Sequence, residues 1–375
     1  MRILELTTYS AGICGVFARV KEEAVLLSKA GHTVKIFSTN FVKAEDRRAT
    51  QKEKIDKITI HRFPAVKLGG ESFAFWRFKD KAIEFKPDII IAHAYRHTHT
   101  TQALSIAKTM KIPVILVTHA PFGRSATRQP IAKLSVWLYD KIIAPRTLNK
   151  FSSIIAITRW EMPYLKKLGV SGKKINYIPN GIPPQFFRQK ASKEEHKILF
   201  LGRLSPIKSL ETVINTLPLI KDKEIIFEIV GPVEKSYTAY LKNIIYKKNM
   251  SSRVIFSNSI TKIPEKIRKI DSAELFILPS ITEGMPQSLI EALSRSKIVL
   301  ASNNVGNSSL IKDNYNGFIF EVKNEKDCAE KIDYILGLGE KEKSRIKKQA
   351  LSSAREFEWT RIISKIIRLY ERKLI

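Results

Sequence analysis

Glu283-Gly284-Met285-Pro286-Gln287-Ser288-Leu289-Ile290-Glu291 sets two carboxylates eight positions apart, the first in a Gly/Pro loop and the second inside a predicted helix. The apolar run Glu274-Leu275-Phe276-Ile277-Leu278 before it reads as a strand, stopped by Pro279-Ser280. Gly284 and Pro286 keep the next residues open, so the helix starts near Gln287. Its first-turn amides have no acceptor inside the helix and point back into the loop, a place for an oxyanion or sugar hydroxyls. An ionised carboxylate accepts from several hydroxyls at once, which suits a sugar. Taken alone, the pair reads more readily as a solvated loop Glu followed by a helical surface Glu, since Glu is mostly exposed.

Upstream runs Lys197-Ile198-Leu199-Phe200-Leu201-Gly202-Arg203-Leu204-Ser205-Pro206-Ile207-Lys208-Ser209. An apolar strand ends at a glycine, and Arg203 and Lys208 follow before a helix beginning near Ser209. Glycine permits close backbone approach, Arg offers a planar fork of donors and Lys a compact charge. Together they read as a diphosphate clamp. Separately, both are ordinary surface cations of a basic chain.

In this order and spacing the two elements resemble glycosyltransferase family 4, the retaining nucleotide-sugar transferases of the GT-B fold. The family's G-R-L-x-x-x-K-G segment is matched from Gly202 to Lys208, with Ser209 in place of the last glycine. Its E-x7-E motif is matched by Glu283 and Glu291. Ile178-Pro179-Asn180-Gly181, Val230-Gly231-Pro232 and Ala301-Ser302-Asn303-Asn304-Val305-Gly306 fall in family order. The resemblance implies an α/β chain of GT-B type, two Rossmann-like domains facing across a deep cleft. It implies that Arg203 and Lys208 neutralise a diphosphate and that Glu283 touches the donor sugar. The backbone of Met285, Pro286 and Gln287 would meet the sugar's hydroxyls, and Glu291 the ribose. Asn180, Gly202 and Gly231 join this binding set.

Length and composition fit. The 375 residues suit two domains of ordinary size, and a 44% hydrophobic share with 27% charged is that of a globular protein. Cys14 and Cys328 lie near opposite ends without metal-ligand spacing, so no zinc site or disulfide is expected and a reduced cytoplasmic setting is. Residues 2–8 read as a core strand rather than a leader, and no apolar run is long enough to span a bilayer.

The net charge of +29 fits nucleic acid, an anionic membrane surface or a polyphosphate substrate. Between residues 121 and 150, Arg124, Arg128, Lys133, Lys141, Arg146 and Lys150 face one acid, Asp140. Ile131, Leu134, Trp137, Leu138 and Ile142 interleave near helical spacing. Such a stretch suits an anionic membrane surface, or else packs its stripe on its own sheet. Phe73-Ala74-Phe75-Trp76-Arg77-Phe78-Lys79-Asp80-Lys81 is a second basic, aromatic stretch with part of its rings in the core. Nothing matches the usual nucleic-acid modules, so no nucleic-acid partner is expected.

Strands are predicted at 2–8, 33–38, 57–63, 88–92, 113–118, 153–157 and 175–178, then at 197–201, 225–230, 253–257, 274–278, 297–301 and 317–320. Alternation with helices implies two parallel sheets. The expected division is an N-terminal acceptor domain 1–182, a linker 183–195 and a nucleotide-sugar domain 196–356. A last helix, 357–375, is expected to return to the first domain. Thr158-Arg159-Trp160-Glu161 has capping-box spacing, and Lys29-Ala30-Gly31-His32 reads as a helix stop.

In the first half, Gly12 and Gly15 lie between a strand and a helix, where the family has a glycine-rich loop near phosphate and acceptor; the Gly-Gly pair is missing. His119 ends the strand Val114-Ile115-Leu116-Val117-Thr118, and its family counterpart lies beside the donor sugar. The family's following acid is replaced by Ala120-Pro121, which implies different acceptor-side chemistry, and a strand-end His is also commonly structural. His93, His97 and His99 cluster without Cys or carboxylate support for a metal, and with Arg96 read as acceptor-side residues at most.

No Asp-x-Asp occurs in the chain, so the resemblance implies a transferase without cofactor or metal. The donor reads as UDP-glucose or another UDP-hexose, with GDP-mannose the alternative. The acceptor reads as a lipid-linked or surface glycan, met in the cytoplasm or at the inner membrane face. An epimerase or phosphorylase would share the architecture without reason to combine clamp and E-x7-E, and a nucleic-acid binder would need neither.

Overall fold

The computed structural model describes residues 1–12, 14–43, 45–68, 71–122, 130–188 and 193–374. Among these, residues 1–122, 130–180 and 360–374 form one compact unit and residues 181–359 another.

Ten strands build the first unit among the described residues: β1 (Arg2–Leu6), β2 (Thr33–Thr39), β3 (Lys52–Ile55), β4 (Ile58–Phe63), β5 (Ala65–Lys67), β6 (Ala74–Trp76), β7 (Ile89–His93), β8 (Val114–Val117), β9 (Ser153–Ala156) and β10 (Ile175–Tyr177). Eight form a sheet in the order β10-β9-β8-β7-β1-β2-β4-β3, parallel except where β3 meets β4. The central strands are Ile/Val runs buried at every position, as helices on both faces require. By contrast β3 is Lys-Glu-Lys-Ile, a charged and exposed edge that discourages further pairing. β5 and β6 form a separate antiparallel pair.

The helix Gly15–Lys29 buries Val20, Ala24 and Leu27, and with them the ion pair Arg19–Glu23 at 3.2 Å. Arg19 Nη1 also donates to the carbonyls of Ile178 and Pro179 and to Asn180 Oδ1. Glu23 accepts from Tyr370 on the last helix, Trp359–Leu374, at 2.5 Å. Buried charges survive only when partnered in this way.

The second unit contains β11 (Glu195–Leu201), β12 (Ile226–Val230), β13 (Val254–Ser257), β14 (Ala273–Leu278), β15 (Ile298–Ser302) and β16 (Phe318–Phe320). All are parallel, in the order β13-β12-β11-β14-β15-β16. Chain order therefore reverses between β11 and β14, and a crevice opens at the carboxyl ends of strands on either side of such a reversal.

The polar break expected as a linker differs at its start. Ile182, Phe186 and Phe187 are buried in the second core, so the start of this stretch is anchored by its apolar side chains while Gln185 and Arg188 stay exposed. Apolar side chains around Pro183-Pro184 outweigh the turn signal. The next stretch, 189–192, lies outside the described residues. A Cβ on Gly181 would sit 2.2 Å from the Trp359 ring, which explains a glycine after Asn180.

The Tyr370–Glu23 bond yields a stability test. Tyr370→Phe leaves a buried carboxylate one donor short, a loss of roughly 1–3 kcal/mol. The urea midpoint should fall with an unchanged slope; an unaltered midpoint would show the bond to be idle.

Candidate active site

At the reversal of the second sheet, the loop after β11 meets the loop after β14. Lys208 Nζ donates to Glu283 Oε1 at 2.5 Å, and Ser280 Oγ donates to the same oxygen at 2.6 Å. The Ile281 amide bonds the Ile207 carbonyl at 2.9 Å, tying the two loops by their backbones. Lys208 closes a single 3-10 turn, Pro206–Lys208, and the helix Leu210–Thr216 follows. Between them Ser209 has φ +50°, the left-handed conformation that a glycine adopts more cheaply. Its hydroxyl lies 3.0 Å from Thr212 Oγ1.

Two glycines meet where β11 and β12 end. A Cβ on Gly231, at φ +147°, would lie 1.9 Å from the Gly202 carbonyl oxygen. Gly231 is thus needed for strand-end packing, while a Cβ on Gly202 would meet the Phe200 ring at 3.1 Å. Arg203 stands apart from the Lys208–Glu283 pair, half exposed, with Glu234 at 3.7 Å.

The helix Gln287–Ser294 starts where the Gly/Pro loop releases it, with Pro286 at its N-cap. Glu291 is buried; Oε1 accepts from Lys266 Nζ at 2.7 Å and Oε2 has no hydrogen-bond partner. A buried carboxylate oxygen without a donor is costly and would be satisfied by a ligand hydroxyl.

Residues after β15 brace this loop, a role not evident from the sequence. Asn304 Nδ2 donates to the Ser280 carbonyl at 2.8 Å while its Oδ1 caps the short helix Val305–Ser308. The Gly306 backbone lies so close to Glu283 that a Cβ there would come 2.5 Å from the Glu283 carbonyl oxygen.

In the first unit chain order reverses between β1 and β7, and polar residues gather at those strands' carboxyl ends. His119 lies 3.0 Å from His93 through Nε2 and Nδ1, and His93 Nε2 lies 2.6 Å from Glu5 Oε2. The carboxylate beside His93 is Glu5 of β1, far away in sequence, and the pairing is a hydrogen bond rather than part of a metal-holding group. Burial pushes Glu5 up to about 8 against the pull of Arg19, and pushes His93 down to about 3. Burial and the neighbouring His93 hold His119 well below the usual histidine range. With Glu5 protonated and both rings neutral, Glu5 donates to His93 and His93 Nδ1–H to His119, which fixes both tautomers.

The loop carrying His119 is strained. His119 and Ala120 have φ +62° and +53°, and after β7 Ala94 and Arg96 have +76° and +70°. Non-glycine residues hold such conformations only where their surroundings over-determine them. Glu161 provides part of that support, accepting from Thr118 Oγ1 at 2.5 Å, the Ala120 amide at 2.7 Å and the Thr158 amide at 2.9 Å. The helix Glu161–Lys167 begins at Glu161 with Trp160 at its N-cap, so Thr158 is not the cap its spacing suggested, and Glu161 braces the His119 loop.

Other expected site residues have structural engagements. Arg96 is bound to Asp140, His99 donates to the His93 carbonyl, and Asn180 is held by Arg19. Gly12, at φ +78°, admits no Cβ beside the Lys43 backbone, whereas a Cβ on Gly15 would meet nothing. Among the described residues no group of three or more His, Cys, Asp or Glu could hold a metal ion.

The basic stretch forms a helix Pro130–Leu138 that runs on through a π turn, Tyr139–Ile143. Leu134, Trp137, Leu138, Ile142 and Ile143 are all exposed, so this stripe does not pack on its own sheet. Asp140 is occupied by Arg96 and Tyr95, while Lys133, Lys141, Arg146 and Lys150 remain exposed. Arg124 and Arg128 lie outside the described residues, and the same holds for the Ile131 side chain. Among the described residues no helix is long and apolar enough to cross a membrane.

Two substitutions test these geometries. Gly306→Ala must displace Glu283, so turnover should fall about tenfold or more with the fold retained; unchanged turnover would mean that Glu283 does not need its place. For Glu5, the unfolded chain loses its proton near the ordinary 4.5 and the folded chain near 8. The folded state thus binds the extra proton, and its stability falls as pH rises through that window. Glu5→Gln does not titrate, so the parent should lose stability relative to it between pH 6.5 and 8, by up to about 1.4 kcal/mol per unit. A constant gap in urea midpoints would contradict this.

Two family models match, "Glycosyltransferase Family 4" over residues 13–186 and "Glycosyl transferases group 1" over 182–352. The chain is 26% identical over 251 residues, 60% of its length, to a UDP-Gal:alpha-D-GlcNAc-diphosphoundecaprenol alpha-1,3-galactosyltransferase of Escherichia coli. It is 26% identical over 210 residues, 56% of its length, to an N,N'-diacetylbacillosaminyl-diphospho-undecaprenol alpha-1,3-N-acetylgalactosaminyltransferase of Campylobacter jejuni. It spans 62% and 54% of the length of these two relatives. Anabaena HepE, solved with UDP and glucose, superposes with a TM-score of 0.75 at 16% identity, covering 99% of this chain and 100% of that one. The fold is that of GT-B glycosyltransferases, and the chain belongs to glycosyltransferase family 4.

Proposed function

We propose that this protein transfers a hexose, with retention, from a UDP-hexose to a hydroxyl of a lipid-linked glycan. The observation that carries the reading is the Lys208–Glu283–Ser280 cluster at the sheet reversal of the second unit. Lys208 and the half-exposed Arg203 neutralise the departing diphosphate, and stabilising charge on a leaving group is usually the largest catalytic contribution. Glu283 contacts the donor sugar as a binding and electrostatic residue rather than a nucleophile. The unpartnered Oε2 of Glu291 accepts from the ribose. The acceptor attacks from the face the diphosphate leaves, through an oxocarbenium-like state, and a phosphate oxygen takes its proton. His119, with its tautomer set from Glu5 through His93, orients the sugar or acceptor hydroxyls.

A UDP donor and a lipid-linked acceptor are supported by what the relatives are named for and by HepE having been solved with UDP and glucose. A screen of nucleotide sugars for hydrolysis and transfer tests donor base and sugar together. If GDP-mannose alone is consumed, the UDP assignment falls.

Metal independence is part of this reading, because Arg203 and Lys208 supply the charge and no Asp-x-Asp is present. Transfer should persist in excess chelator, and loss rescued by a divalent ion would refute it. Lys208→Ala should cost roughly 2.7–4 kcal/mol of transition-state stabilisation, the scale of losing one oxyanion donor. A turnover loss of about tenfold or less, only ~1.4 kcal/mol, would mean that the clamp is misassigned.

Docking of the first unit on an anionic membrane through residues 130–150 brings the enzyme to such an acceptor. The exposed stripe of Leu134, Trp137, Leu138, Ile142 and Ile143 among Lys133, Lys141 and Arg146 supports it. Each cation near such a surface adds about 1 kcal/mol, screened by salt over roughly 8–10 Å. Replacing Lys133, Lys141 and Arg146 by Gln should release the protein from anionic vesicles with donor affinity unchanged. Undiminished co-sedimentation would defeat the docking surface.

A further inference from the structure

A second concavity in the first unit belongs to neither strand-end site. A cavity of about 820 Å³ lies against β5 and β6, lined among others by Val66, Phe75, Trp76, Phe78, Arg77 and Lys79. The antiparallel register sets Val66 opposite Phe75, and both are exposed, at 63% and 43%. Just beyond the strand ends, the Leu68 amide donates to the Phe73 carbonyl at 3.1 Å, and both side chains are exposed, at 65% and 45%. A contiguous exposed apolar ridge marks an interaction site.

On the opposite face Trp76 is buried with its ring 4.2 Å from that of Phe78, and its Nε1 is buried without an acceptor. A buried indole N–H ordinarily finds an acceptor. The polar rim is mainly cationic: Arg77 and Lys79 are exposed, and Asp80 is the acid that also lines the cavity. Aromatic and aliphatic walls with two exposed cations call for an apolar chain headed by an anion. Inorganic phosphate or a nucleotide would leave the ridge wet, and an uncharged chain would leave both cations unused.

We propose that this groove holds the lipid end of the acceptor, the first carbons of a long-chain lipid phosphate, with the phosphate between Arg77 and Lys79. The proposal rests on the reading of the acceptor as lipid-linked and adds where this chain grips the lipid.

Farnesyl phosphate, below its micelle concentration, and inorganic phosphate are the probes, titrated into the full chain by calorimetry. Farnesyl phosphate should bind at least about tenfold more tightly than phosphate, since each buried methylene favours the complex. Val66→Ser with Phe75→Ser, at exposed positions, should cut that affinity about tenfold or more. Arg77→Gln with Lys79→Gln should weaken farnesyl phosphate but not farnesol. Both double variants should bind UDP as the parent does. Parent-like farnesyl phosphate binding by the serine variant, together with parent-like transfer to a lipid-linked acceptor, would overturn the groove and leave the lipid-acceptor reading standing. No binding to the parent, with transfer to water-soluble glycans alone, would overturn both. A parent that sediments as a dimer and a serine variant that sediments as a monomer would make the ridge a self-association surface and overturn the proposal.

Discussion

The ion pair between Lys208 and Glu283 joins the two loops that a parallel sheet brings together where its chain order reverses. Much else in the second unit serves that meeting. Gly231 lets β11 and β12 end in contact, Ser209 takes a left-handed turn after Lys208, and Gly306 makes room for the Glu283 backbone. The Ile281–Ile207 backbone bond fixes the spacing of the loops, and Asn304 and Ser280 fix the orientation of the carboxylate. Held at 2.5 Å, the lysine and the carboxylate neutralise one another. On the proposed function, an arriving diphosphate draws Lys208 away and leaves Glu283 for the sugar.

The first unit follows the same topological rule with different chemistry. Its reversal lies between β1 and β7, and there Glu5, His93 and His119 form a hydrogen-bonded line. Burial favours the neutral form of all three, which suits hydrogen-bond direction rather than charge. The strained turns after β7 and β8 and the Glu161 brace hold the end of that line in place.

The parallel strands were legible because a strand covered on both faces is a near-continuous apolar run, as in Ile89-Ile90-Ile91-Ala92. β3, β5 and β6 were not: each is short and partly exposed, and pairing across a turn rather than burial makes it a strand. The E-x7-E spacing and the Arg203–Lys208 spacing were visible as local patterns, but the bond between Lys208 and Glu283 depends on which strands are neighbours. Glu5 could not be matched to His93 for the same reason. Its only local signal is an acid inside an apolar strand, a position where a carboxylate needs a partner. The exposure of the Trp137 stripe was likewise undecidable from helical periodicity, which reports an apolar face but not what covers it.

The most direct test is calorimetry of UDP, with GDP in parallel, on the parent, Glu291→Ala and Glu283→Ala. Glu291 is proposed to hold the ribose, so its loss should weaken the bare nucleotide. Glu283 is proposed to touch only the sugar while occupying Lys208 in the empty site, so its loss should leave nucleotide affinity unchanged or raise it. A group that contacts only the transferred sugar cannot assist a ligand that lacks it. Equal weakening by both substitutions would contradict the account.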